Sequence, residues 1–411
     1  MTESLITLNS EITLKVENST ATPGRHFVTE IPDLNIENLD IGKQYSVEEL
    51  LPDGIKIHNA DDDRIMLQLN HVPKDYQEAV RYERPVKKKT IYFYGGLKRW
   101  GMPDAKTYFK EHKCKIDKCD FIDDTKEGRN ADAIVFSNPG KLPWKKPWPR
   151  SFQKQIWALL MLESPFHTRR ISDDYKNMFN WTMTYRRDST ISTPYQKIQI
   201  DRNRKLKQNH TMPNMAAGKT KKVAWFVSNC VQVQSGRMKY AEELSKHIDV
   251  DIFGSCGKKR CSKRNMGSCF DILNKDYKFY LSFENSKCKH YVTEKLFENA
   301  LRNNIVPVVL GASPVDYQLI APPGSFIHVE DFSSPKALAD YLHKLDSNDE
   351  LYNQYFEWKS YGTFIDAAPW CRFCAMLHET ELPNTWYSDI NDWWGAKTTC
   401  IGRGNWPKNL E

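Results

Sequence analysis

The chain has 411 residues, which is long enough for two domains with separate hydrophobic cores. Hydrophobic residues make up 40% of the sequence and aromatic residues 12%, and this composition excludes a wholly disordered protein. The net charge is +7, but the first 60 residues are acidic, with four Lys or Arg against ten Asp or Glu, so the rest of the chain is strongly basic. A basic body attracts an anionic ligand, which a nucleotide sugar and a nucleic acid would both satisfy.

Residues 1–87 are polar and lack a sustained hydrophobic period, which predicts a stem or linker. The first 14 residues contain only short apolar runs, broken by Glu3 and Glu11, and they fit neither a signal peptide nor a membrane span. The acidic run Asp61–Asp63 formally fits a DxD metal-binding pattern, but no apolar strand leads into it. A solvated turn is therefore predicted there, and likewise at Asp123–Asp124.

The first α/β region begins at Thr90, where short apolar runs start to alternate with helical patterns. Strands are predicted at Ile91–Tyr94 and Ala133–Phe136, and an amphipathic helix at Phe152–Leu162. Glu163 follows the apolar end of that helix, just before a Ser-Pro turn. Partial burial there would raise the pKa of its carboxyl group and suit it to act as a general base. The alternative, a helix-end carboxylate turned to water, stays open.

The basic stretch at residues 201–222 has no apolar period and is predicted to be an interdomain linker or an exposed loop. After it the alternation restarts, with helices predicted at Arg237–Ile248 and from Pro335 onward, where Ser334 serves as the cap. Strands are predicted at Val223–Val227, Val250–Phe253, Phe279–Phe283, Ile305–Leu310 and Phe326–Val329. This half is typical of a doubly wound nucleotide-binding domain.

The segment Phe283–Leu296 follows a predicted strand and opens a predicted helix. Open α/β sheets bind nucleotides at such places, because free backbone N–H groups face the ligand there. Lys295, on the first helical turn, would hold a diphosphate. Nearby side chains would bind hydroxyl groups or stack on a base: Glu284, Glu294, Tyr280 and Tyr291. The alternative is an ordinary helix start, with Thr293 or Ser286 as cap and the charges in solvent.

A second segment that leads from a predicted strand through a loop to a predicted helix is Val227–Arg237. Its last residue, Arg237, lies at the start of the helix. A guanidinium in that position would donate two hydrogen bonds to phosphate oxygens, and the alternative is an ordinary surface arginine. The sequence contains no complete P-loop, no GxGxxG after a strand, no GxSxG and no HExxH motif. Dehydrogenases and covalent hydrolases are therefore disfavoured.

These segments resemble the inverting α1,3-fucosyltransferase family, the α1,3/4-fucosyltransferases. The resemblance is strongest in Lys278–Ser286 (KFYLSFENS), Tyr291–Lys295 (YVTEK) and Val306–Gly311 (VPVVLG). Further matching segments extend it over roughly residues 90–375: Leu162–Pro165, Phe179–Ser189, Ser325–Asp331, Tyr355–Trp358 and Cys371–Cys374. The cysteines between 256 and 288 resemble the invertebrate and plant core-type branch more than the vertebrate Lewis-type enzymes.

The resemblance implies a GT-B type α/β fold, in which two Rossmann-like domains face each other across a cleft behind an N-terminal stem. We expect residues 1–87 to be the stem, 88–215 the acceptor-side domain, 216–362 the GDP-fucose-binding domain and 363–411 a C-terminal tail with a CxxC motif. The implied reaction moves L-fucose from GDP-β-L-fucose, with inversion, to O3 of a GlcNAc residue in N-glycans or related glycoconjugates.

Residue roles follow from the resemblance only at matching positions. Glu163 would deprotonate the acceptor hydroxyl, while Arg237 and Lys295 would neutralise the diphosphate. The rest of the donor site is expected to comprise Ser228, Asn229, Tyr280, Asn285, Tyr291, Thr293 and Glu294. Because a diphosphate leaves easily, positive side chains suffice to stabilise its charge. No cofactor is expected to be obligatory, although Mn²⁺ or another divalent cation stimulates some relatives.

Ten cysteines, with none before Cys114, predict disulfides formed in an oxidising compartment, with a zinc site as the alternative. Three N-x-[ST] sequons make Asn18, Asn180 and Asn209 candidates for glycosylation. The family resemblance implies a type II membrane protein whose catalytic part lies in the Golgi lumen. No membrane segment is visible in this sequence, so we expect a form of the protein without its anchor.

Three rival interpretations remain at this point. A nucleic-acid-binding protein would cluster its basic residues with its aromatic ones, whereas here the densest basic run is the 201–222 linker and the aromatics lie in predicted strands. We therefore expect no nucleic-acid partner. A non-catalytic glycan- or nucleotide-binding module would lack the base or a phosphate ligand, yet Glu163, Arg237 and Lys295 are all present. A transferase of the same fold using another nucleotide sugar stays open.

Overall fold

Two parallel β-sheets of five strands each form the framework of the part of the chain that the structure describes. The computed structural model describes residues 63–137, 155–201, 212–231, 233–261, 266–380 and 386–401. The first sheet consists of β1 (Lys89–Phe93), β2 (Cys119–Ile122), β3 (Ala133–Ser137), β4 (Ile156–Met161) and β5 (Trp181–Thr184). Its strands lie in the order β2-β1-β3-β4-β5, and every neighbouring pair is parallel.

The second sheet repeats this order. Its strands are β7 (Lys221–Phe226), β8 (Val250–Phe253), β9 (Tyr277–Phe283), β10 (Val306–Leu310) and β11 (Ile327–His328), arranged as β11-β10-β9-β7-β8. A two-stranded antiparallel ribbon, β6 (Lys197–Ile200) with β12 (Gly362–Ile365), accompanies the two sheets. The strand order reverses between β1 and β3 in one sheet and between β7 and β9 in the other, and ligands bind at such points. The predicted pair of Rossmann-like domains is confirmed.

Helices connect most of the parallel strands whose connections the structure describes, whereas two short 3₁₀ turns, Pro165–His167 and Asp173–Tyr175, lie between β4 and β5. In chain order the helices are α1 (Arg64–Asn70), α2 (Lys74–Arg81), α3 (Leu97–Trp100), α4 (Ala105–Glu111), α5 (Thr125–Gly128), α6 (Arg237–Leu244), α7 (Met266–Asp276), α8 (Glu294–Leu296), α9 (Pro314–Ile320), α10 (Pro335–Asp346), α11 (Asp349–Gln354), α12 (Pro369–Leu377), α13 (Ile390–Trp394) and α14 (Ala396–Thr399). A π-helical turn, Phe297–Leu301, continues α8. Among the described residues, none of these helices has the length and apolarity needed to cross a bilayer.

Most of the predicted elements of the second half are present. All seven residues of β9 are buried, as a central strand covered on both faces requires. The helix predicted from Pro335 is α10, and the Ser334 side chain accepts a hydrogen bond from the backbone N–H of Ala337 as its cap. In the predicted linker, residues 202–211 lie outside the described part, residues 212–220 contain no helix or strand, and β7 begins at Lys221.

The segment around Trp157 is a strand, so the helix prediction for Phe152–Leu162 is wrong in its described part. β4 pairs with β3 on one side and with β5 on the other. Its apolar run is short and continuous, and such a run fits a doubly covered strand as well as a buried helix. Glu163 therefore follows the carboxyl end of a strand, which is the edge where α/β proteins bind ligands.

Two helices, α1 and α2, occupy the end of the segment predicted to be a stem. Asp63 caps α1 by accepting from the backbone N–H of Met66 at 3.2 Å, so it serves as a helix cap. Gln68 is buried, donates to the backbone oxygen of Thr190 at 2.8 Å and accepts from Arg372 Nη1 at 3.1 Å. The prediction missed these helices because each is too short for a clear period and is stabilised by distant partners.

The C-terminal segment predicted to be a tail returns to the first domain. α12 is buried in the hydrophobic core that also holds Ile91, Phe93 and Val135 of the first sheet. Two disulfides fix it there, Cys114–Cys371 and Cys119–Cys374. The CxxC pair thus forms part of the first domain's core, while residues 402–411 lie outside the described part.

All ten cysteines lie in the described residues and all are paired. The remaining disulfides are Cys230–Cys256, Cys261–Cys269 and Cys288–Cys400. The disulfide prediction is confirmed, and the zinc alternative is left without free thiolates.

Candidate active site

Arg237 lies where the strand order of the second sheet reverses. It is the first residue of α6, and Gly236 before it has a φ of 72°, a left-handed conformation that favours glycine. The Nη1 atom of Arg237 donates to the backbone oxygen of Phe283 at the end of β9, and Nη2 donates to that of Asn229 after β7, both at 2.9 Å. Its Nε is buried without a hydrogen-bond partner among the described residues. The guanidinium thus bridges both strand ends at the predicted nucleotide position and keeps an unpaired N–H group.

Lys295 lies on the first turn of α8, as predicted, and its ammonium group is already enclosed by oxygens. Its Nζ donates to Glu284 Oε2 at 2.9 Å, to Thr293 Oγ1 at 2.8 Å and to Glu294 Oε1 at 3.1 Å. Burial lowers the pKa of Lys295, but the charges of Glu284 and Glu294 outweigh it and raise the pKa overall. The cation is therefore fixed at the helix start, where Thr293 also serves as the cap.

Glu284 does not face a ligand, contrary to the prediction that it would accept hydrogen bonds from sugar hydroxyls. Its side chain is completely buried and accepts from the backbone N–H of Thr293 at 2.8 Å as well as from Lys295. Complete burial raises its pKa, against the opposing effect of Lys295. Its role is to hold the lysine and the start of α8.

Glu163 receives hydrogen bonds from the second domain. Its Oε1 accepts from the Tyr291 hydroxyl at 2.7 Å, from Asn285 Nδ2 at 3.2 Å and from the backbone N–H of Ser164 at 2.9 Å. Hydrogen bonds among the described residues reach Oε1 only, so Oε2 is open to a further donor. A carboxylate held by one oxygen with the other open is suited to accept a proton.

The pKa of Glu163 is lowered, so the prediction of a raised value is wrong. Burial does raise it, but the hydrogen bonds from Tyr291, Ser164 and Asn285 stabilise the ionised form and together outweigh burial, with a smaller contribution from His167. The residue stays exposed to solvent, which limits the effect of burial. The carboxylate is therefore ionised at neutral pH and ready to act as a base.

The predicted donor residues fall into two groups. Asn285 and Tyr291 reach Glu163, and the buried Oδ1 of Asn285 has no hydrogen-bond partner among the described residues. Ser228 and Asn229 are exposed and follow the carboxyl end of β7, beside the helix start that carries Arg237. All four lie at the predicted edge of the second sheet.

Tyr280 does not line this edge, which corrects the prediction that it would stack on a base. It is 0% exposed, its hydroxyl accepts from Asn299 Nδ2 at 2.9 Å, and its ring packs against Phe226. Side chains alternate along a strand, and Tyr280 points to the sheet face opposite Phe279 and Leu281. It therefore belongs to the core behind the site.

Several side chains around Glu163 were not identified from the sequence. Ser164 and Ser286 join the two domains through hydroxyls 2.8 Å apart. The Tyr185 ring packs on Tyr291 with ring centroids 4.9 Å apart, and its buried hydroxyl has no partner among the described residues. The Nε2 atom of His167 is also buried without a hydrogen-bond partner among the described residues. Tyr185 lies in a segment that carries the family resemblance, but one sequence does not reveal which of its side chains turns toward the other domain.

Of the three predicted glycosylation sites, the structure describes one, Asn180. Asn180 is only 3% exposed, and its Oδ1 accepts from the backbone N–H of Trp157 at 3.0 Å, between β4 and β5. The folded structure therefore does not present Asn180 for glycosylation, and this prediction is wrong. Asn18 and Asn209 lie outside the described residues.

Comparisons with known proteins agree with this arrangement. Residues 86–196 match the family description "Fucosyltransferase, N-terminal", and residues 216–393 match "Glycosyltransferase family 10 (fucosyltransferase) C-term". The chain is 46% identical over 343 residues to glycoprotein 3-alpha-L-fucosyltransferase A of Drosophila melanogaster, a match covering 83% of this chain and 66% of the relative. It is 36% identical over 281 residues to alpha-(1,3)-fucosyltransferase C of the same organism, covering 64% and 65%. The chain thus spans just under two thirds of the length of both relatives.

The match to a human relative covers a larger share of that relative's length. The human 4-galactosyl-N-acetylglucosaminide 3-alpha-L-fucosyltransferase is 40% identical over 279 residues, covering 65% of this chain and 73% of the relative. A crystal structure of an alpha1,3-fucosyltransferase with GDP-fucose aligns with a TM-score of 0.45 and 16% identity, covering 74% of this chain and 94% of that one. The two family matches extend over both sheets, and the Drosophila relatives are in keeping with the predicted invertebrate branch. The chain therefore belongs to glycosyltransferase family 10, the fucosyltransferases.

Proposed function

We propose that the protein transfers L-fucose from GDP-β-L-fucose, with inversion, to O3 of a GlcNAc residue in N-glycans or related glycoconjugates. The observation that carries this proposal is the position of Glu163, a first-domain carboxylate whose Oε1 accepts from Tyr291 and Asn285 of the second domain at 2.7 and 3.2 Å. Glu163, the proposed base from the first domain, thereby contacts the second-domain loop that leads to Lys295. The names of the relatives, which specify fucosyl transfer to a 3-position, support the sugar and the linkage.

The proposed chemistry is one displacement. Glu163 Oε2 takes the proton from the acceptor O3, and that oxygen forms a bond to C1 of fucose. The bond between C1 and the β-phosphate oxygen breaks at the same time, and its electron pair leaves with GDP. Attack from the side opposite the β-linked diphosphate gives an α-fucoside. The lowered pKa keeps Glu163 ionised before the reaction but makes it a weaker base. The acceptor hydroxyl becomes more acidic as its bond to C1 forms, and it gives up its proton at that stage.

The leaving group is expected to sit against Arg237 and Lys295. Arg237 is fixed by two backbone carbonyls at the switch point, and Lys295 is held by Glu284 and Thr293, so both cations are in place before charge develops. The third N–H group of Lys295 donates to Glu294, and a phosphate oxygen would replace that acceptor. We propose Ser228, Asn229, Asn285, Tyr291, Thr293 and Glu294 as the other donor contacts. With two fixed cations supplying the charge, we propose that no metal is obligatory and that Mn²⁺ or another divalent cation at most stimulates.

We propose the Golgi lumen as the location. The support is chemical, since all ten cysteines form disulfides, which persist in oxidising compartments and are rare in the cytosol. A GlcNAc-containing glycan on a glycoprotein, the proposed acceptor, is found in the same compartment.

The test is transfer from labelled GDP-fucose to a panel of defined N-glycans that differ in which GlcNAc is available. Parallel arms contain EDTA, added Mn²⁺, or a UDP-sugar in place of GDP-fucose. We expect a product with an α1,3-linked fucose by mass spectrometry and linkage-specific fucosidase digestion, retained in EDTA and absent with UDP-sugars. Binding of glycans or GDP-fucose without any transfer would contradict the proposal in favour of a non-catalytic module.

A further inference from the structure

Two segments that are distant in sequence meet beside the proposed site. The crossing loop, residues 284–293, leaves β9 and leads to α8, and it carries Asn285 and Tyr291. The C-terminal strap, residues 386–401, contains α13 and α14. Neither the family resemblance nor the proposed reaction assigns a role to the strap.

The strap is joined to the crossing loop covalently and through backbone hydrogen bonds. Cys288 forms a disulfide with Cys400, and the two residues also form an antiparallel bridge. The backbone N–H of Lys289 donates to the oxygen of Thr399, and that of Ile401 donates to the oxygen of Lys287, both at 2.8 Å. Three consecutive residues of the loop are thus fixed to the end of the strap.

The other part of the strap is fixed to the first domain. Asn391 accepts from the backbone N–H of Ile171 at 2.9 Å and donates to its oxygen at 3.1 Å. The backbone N–H of Tyr387 donates to the oxygen of Phe179 at 2.9 Å, and the Tyr387 hydroxyl lies 3.1 Å from that of Thr182. The Trp394 indole donates to Thr168 Oγ1 at 3.0 Å. The strap therefore spans from the face of the first domain to a loop of the second.

The tethered residue lies midway between the two donors to Glu163. Asn285 precedes Cys288 by three residues and Tyr291 follows it by three, and both donate to Glu163 Oε1. The loop also holds a strained backbone at His290, where φ is 59°, a conformation unfavourable for a residue other than glycine. A loop with that strain needs outside contacts to keep its shape, and the strap supplies several.

We propose that the C-terminal strap, through the Cys288–Cys400 disulfide, positions Asn285 and Tyr291 against the base Glu163. The proposal rests on the proposed function of Glu163 as the base. Cys288, Cys400 and the strap are positioning elements, because they act on Glu163 only through the two donors. Without the strap, the crossing loop stays attached to the second sheet, but the conformation in which Asn285 and Tyr291 both donate to Glu163 is less populated.

The consequence is a change in the pH dependence of transfer. Burial raises the pKa of Glu163 and the donors lower it, so loss of the donors moves the pKa upward. The acid side of the kcat/KM profile, where the base becomes protonated, then moves to higher pH. The ionisable groups that interact with Glu163 are His167, Tyr185, Tyr195, Arg237 and Tyr291, and the cysteine substitutions remove none of them.

The experiment compares the wild-type protein with Cys288→Ala/Cys400→Ala, which leaves no unpaired thiol. We expect the acid limb of kcat/KM to move up by about half a pH unit or more, and Tyr291→Phe to set the scale for complete loss of one donor. The matched control is Cys261→Ala/Cys269→Ala, which removes a disulfide between two residues that lie outside both the crossing loop and the strap. The acid limb of the kcat/KM profile of this control should coincide with that of the wild type.

Hydrogen exchange supplies a readout that does not need activity. The amide of Tyr291, which donates to the oxygen of Cys288, should exchange faster in the strap variant and unchanged in the control. This arm tests the strap even if the wild type transfers no fucose, which would refute only the proposed function. Should the double variant fail to fold, Asn391→Ala loosens the opposite end of the strap and is expected to shift both readouts in the same direction. An unshifted acid limb together with unchanged Tyr291 exchange would overturn the proposal, as would shifts of equal size in the control.

Discussion

Lys295 has a structural partner as well as a proposed ligand, and a single substitution does not separate the two. Its ammonium lies 2.9 Å from Glu284, whose side chain is completely buried. Removing one partner of a buried ion pair leaves an uncompensated charge, which is more damaging than removing both. The role of the lysine toward phosphate therefore has to be measured after its structural role has been neutralised.

We predict that Lys295→Met lowers the free energy of unfolding by about 3–5 kcal/mol and abolishes transfer. Adding Glu284→Gln should recover much of the stability, because no buried charge is then left alone, while transfer stays lost. Urea unfolding and steady-state kinetics measure the two effects. Lys336→Met is the control, since its pair with Asp340 is more than half exposed and contributes little. Recovery of transfer in the double variant would show that Lys295 does not act on the diphosphate.

For single residues, the sequence predicted which charged side chains are candidates for the site, but it did not predict which side chains surround each of them. Arg237 and Lys295 open helices that follow strand ends, which is where α/β sheets are expected to bind ligands. Glu163 was singled out at the end of a predicted helix, and the structure places it after the strand β4 instead. The direction of the Glu163 pKa shift was missed because it depends on Tyr291 and Asn285, more than 120 residues away in sequence. The misplacement of Tyr280 has a similar cause, since both faces of β9 are buried and the pattern of apolar residues does not distinguish them.

At the scale of elements, the strands of the second half were predictable and β4 was not. β7, β9 and β10 are rich in apolar residues with clear turns around them, whereas the run in β4 contains Leu, Met and Ala, which also favour helices. Parallel pairing with β3 and β5 decides the outcome, and that tertiary effect overrides local propensity. The helices α1 and α2 were missed for the same reason, because their stability comes from long-range contacts.

The docking of α1 onto Arg372 should contribute measurably to the stability of the fold. Arg372 is completely buried, burial lowers its pKa to about 10, and Gln68 is one of its few partners. Gln68→Ala should lower the free energy of unfolding by about 1–3 kcal/mol, because it leaves a buried donor and a buried carbonyl without their hydrogen bonds. Urea unfolding measures the loss. Gln77→Ala on the neighbouring α2 is the control, since its side chain is exposed and its removal should cost little.

A result in which Gln68→Ala and Gln77→Ala are equally stable would contradict the docking of α1. It would restore the original interpretation of this segment as a stem. At low denaturant, transfer by the Gln68 variant should stay close to that of the wild type, because the hydrogen-bond partners of Gln68, Thr190 and Arg372, lie outside the crossing loop and α8.

For the whole molecule, the repeated strand order of the two sheets explains how residues of both domains can contribute to the proposed site. Each sheet presents its ligand-binding edge, one supplying Glu163 after β4 and the other supplying Arg237 and Lys295. The α/β class of each half followed from its own sequence pattern. Their meeting did not, because it depends on contacts such as Ser164 with Ser286 and on the C-terminal segment, whose disulfides join residues more than 100 positions apart.

The central claim is that the first domain supplies the base while the second holds the donor. The most direct measurement is turnover and GDP-fucose affinity of Glu163→Gln, which keeps the size of the side chain and can still accept hydrogen bonds from Tyr291 and Asn285. We predict a kcat lower by about 10²–10⁴-fold or more, with a dissociation constant for GDP-fucose within about threefold of the wild type. Near-normal turnover, or loss of donor binding to the same extent as turnover, would contradict the claim.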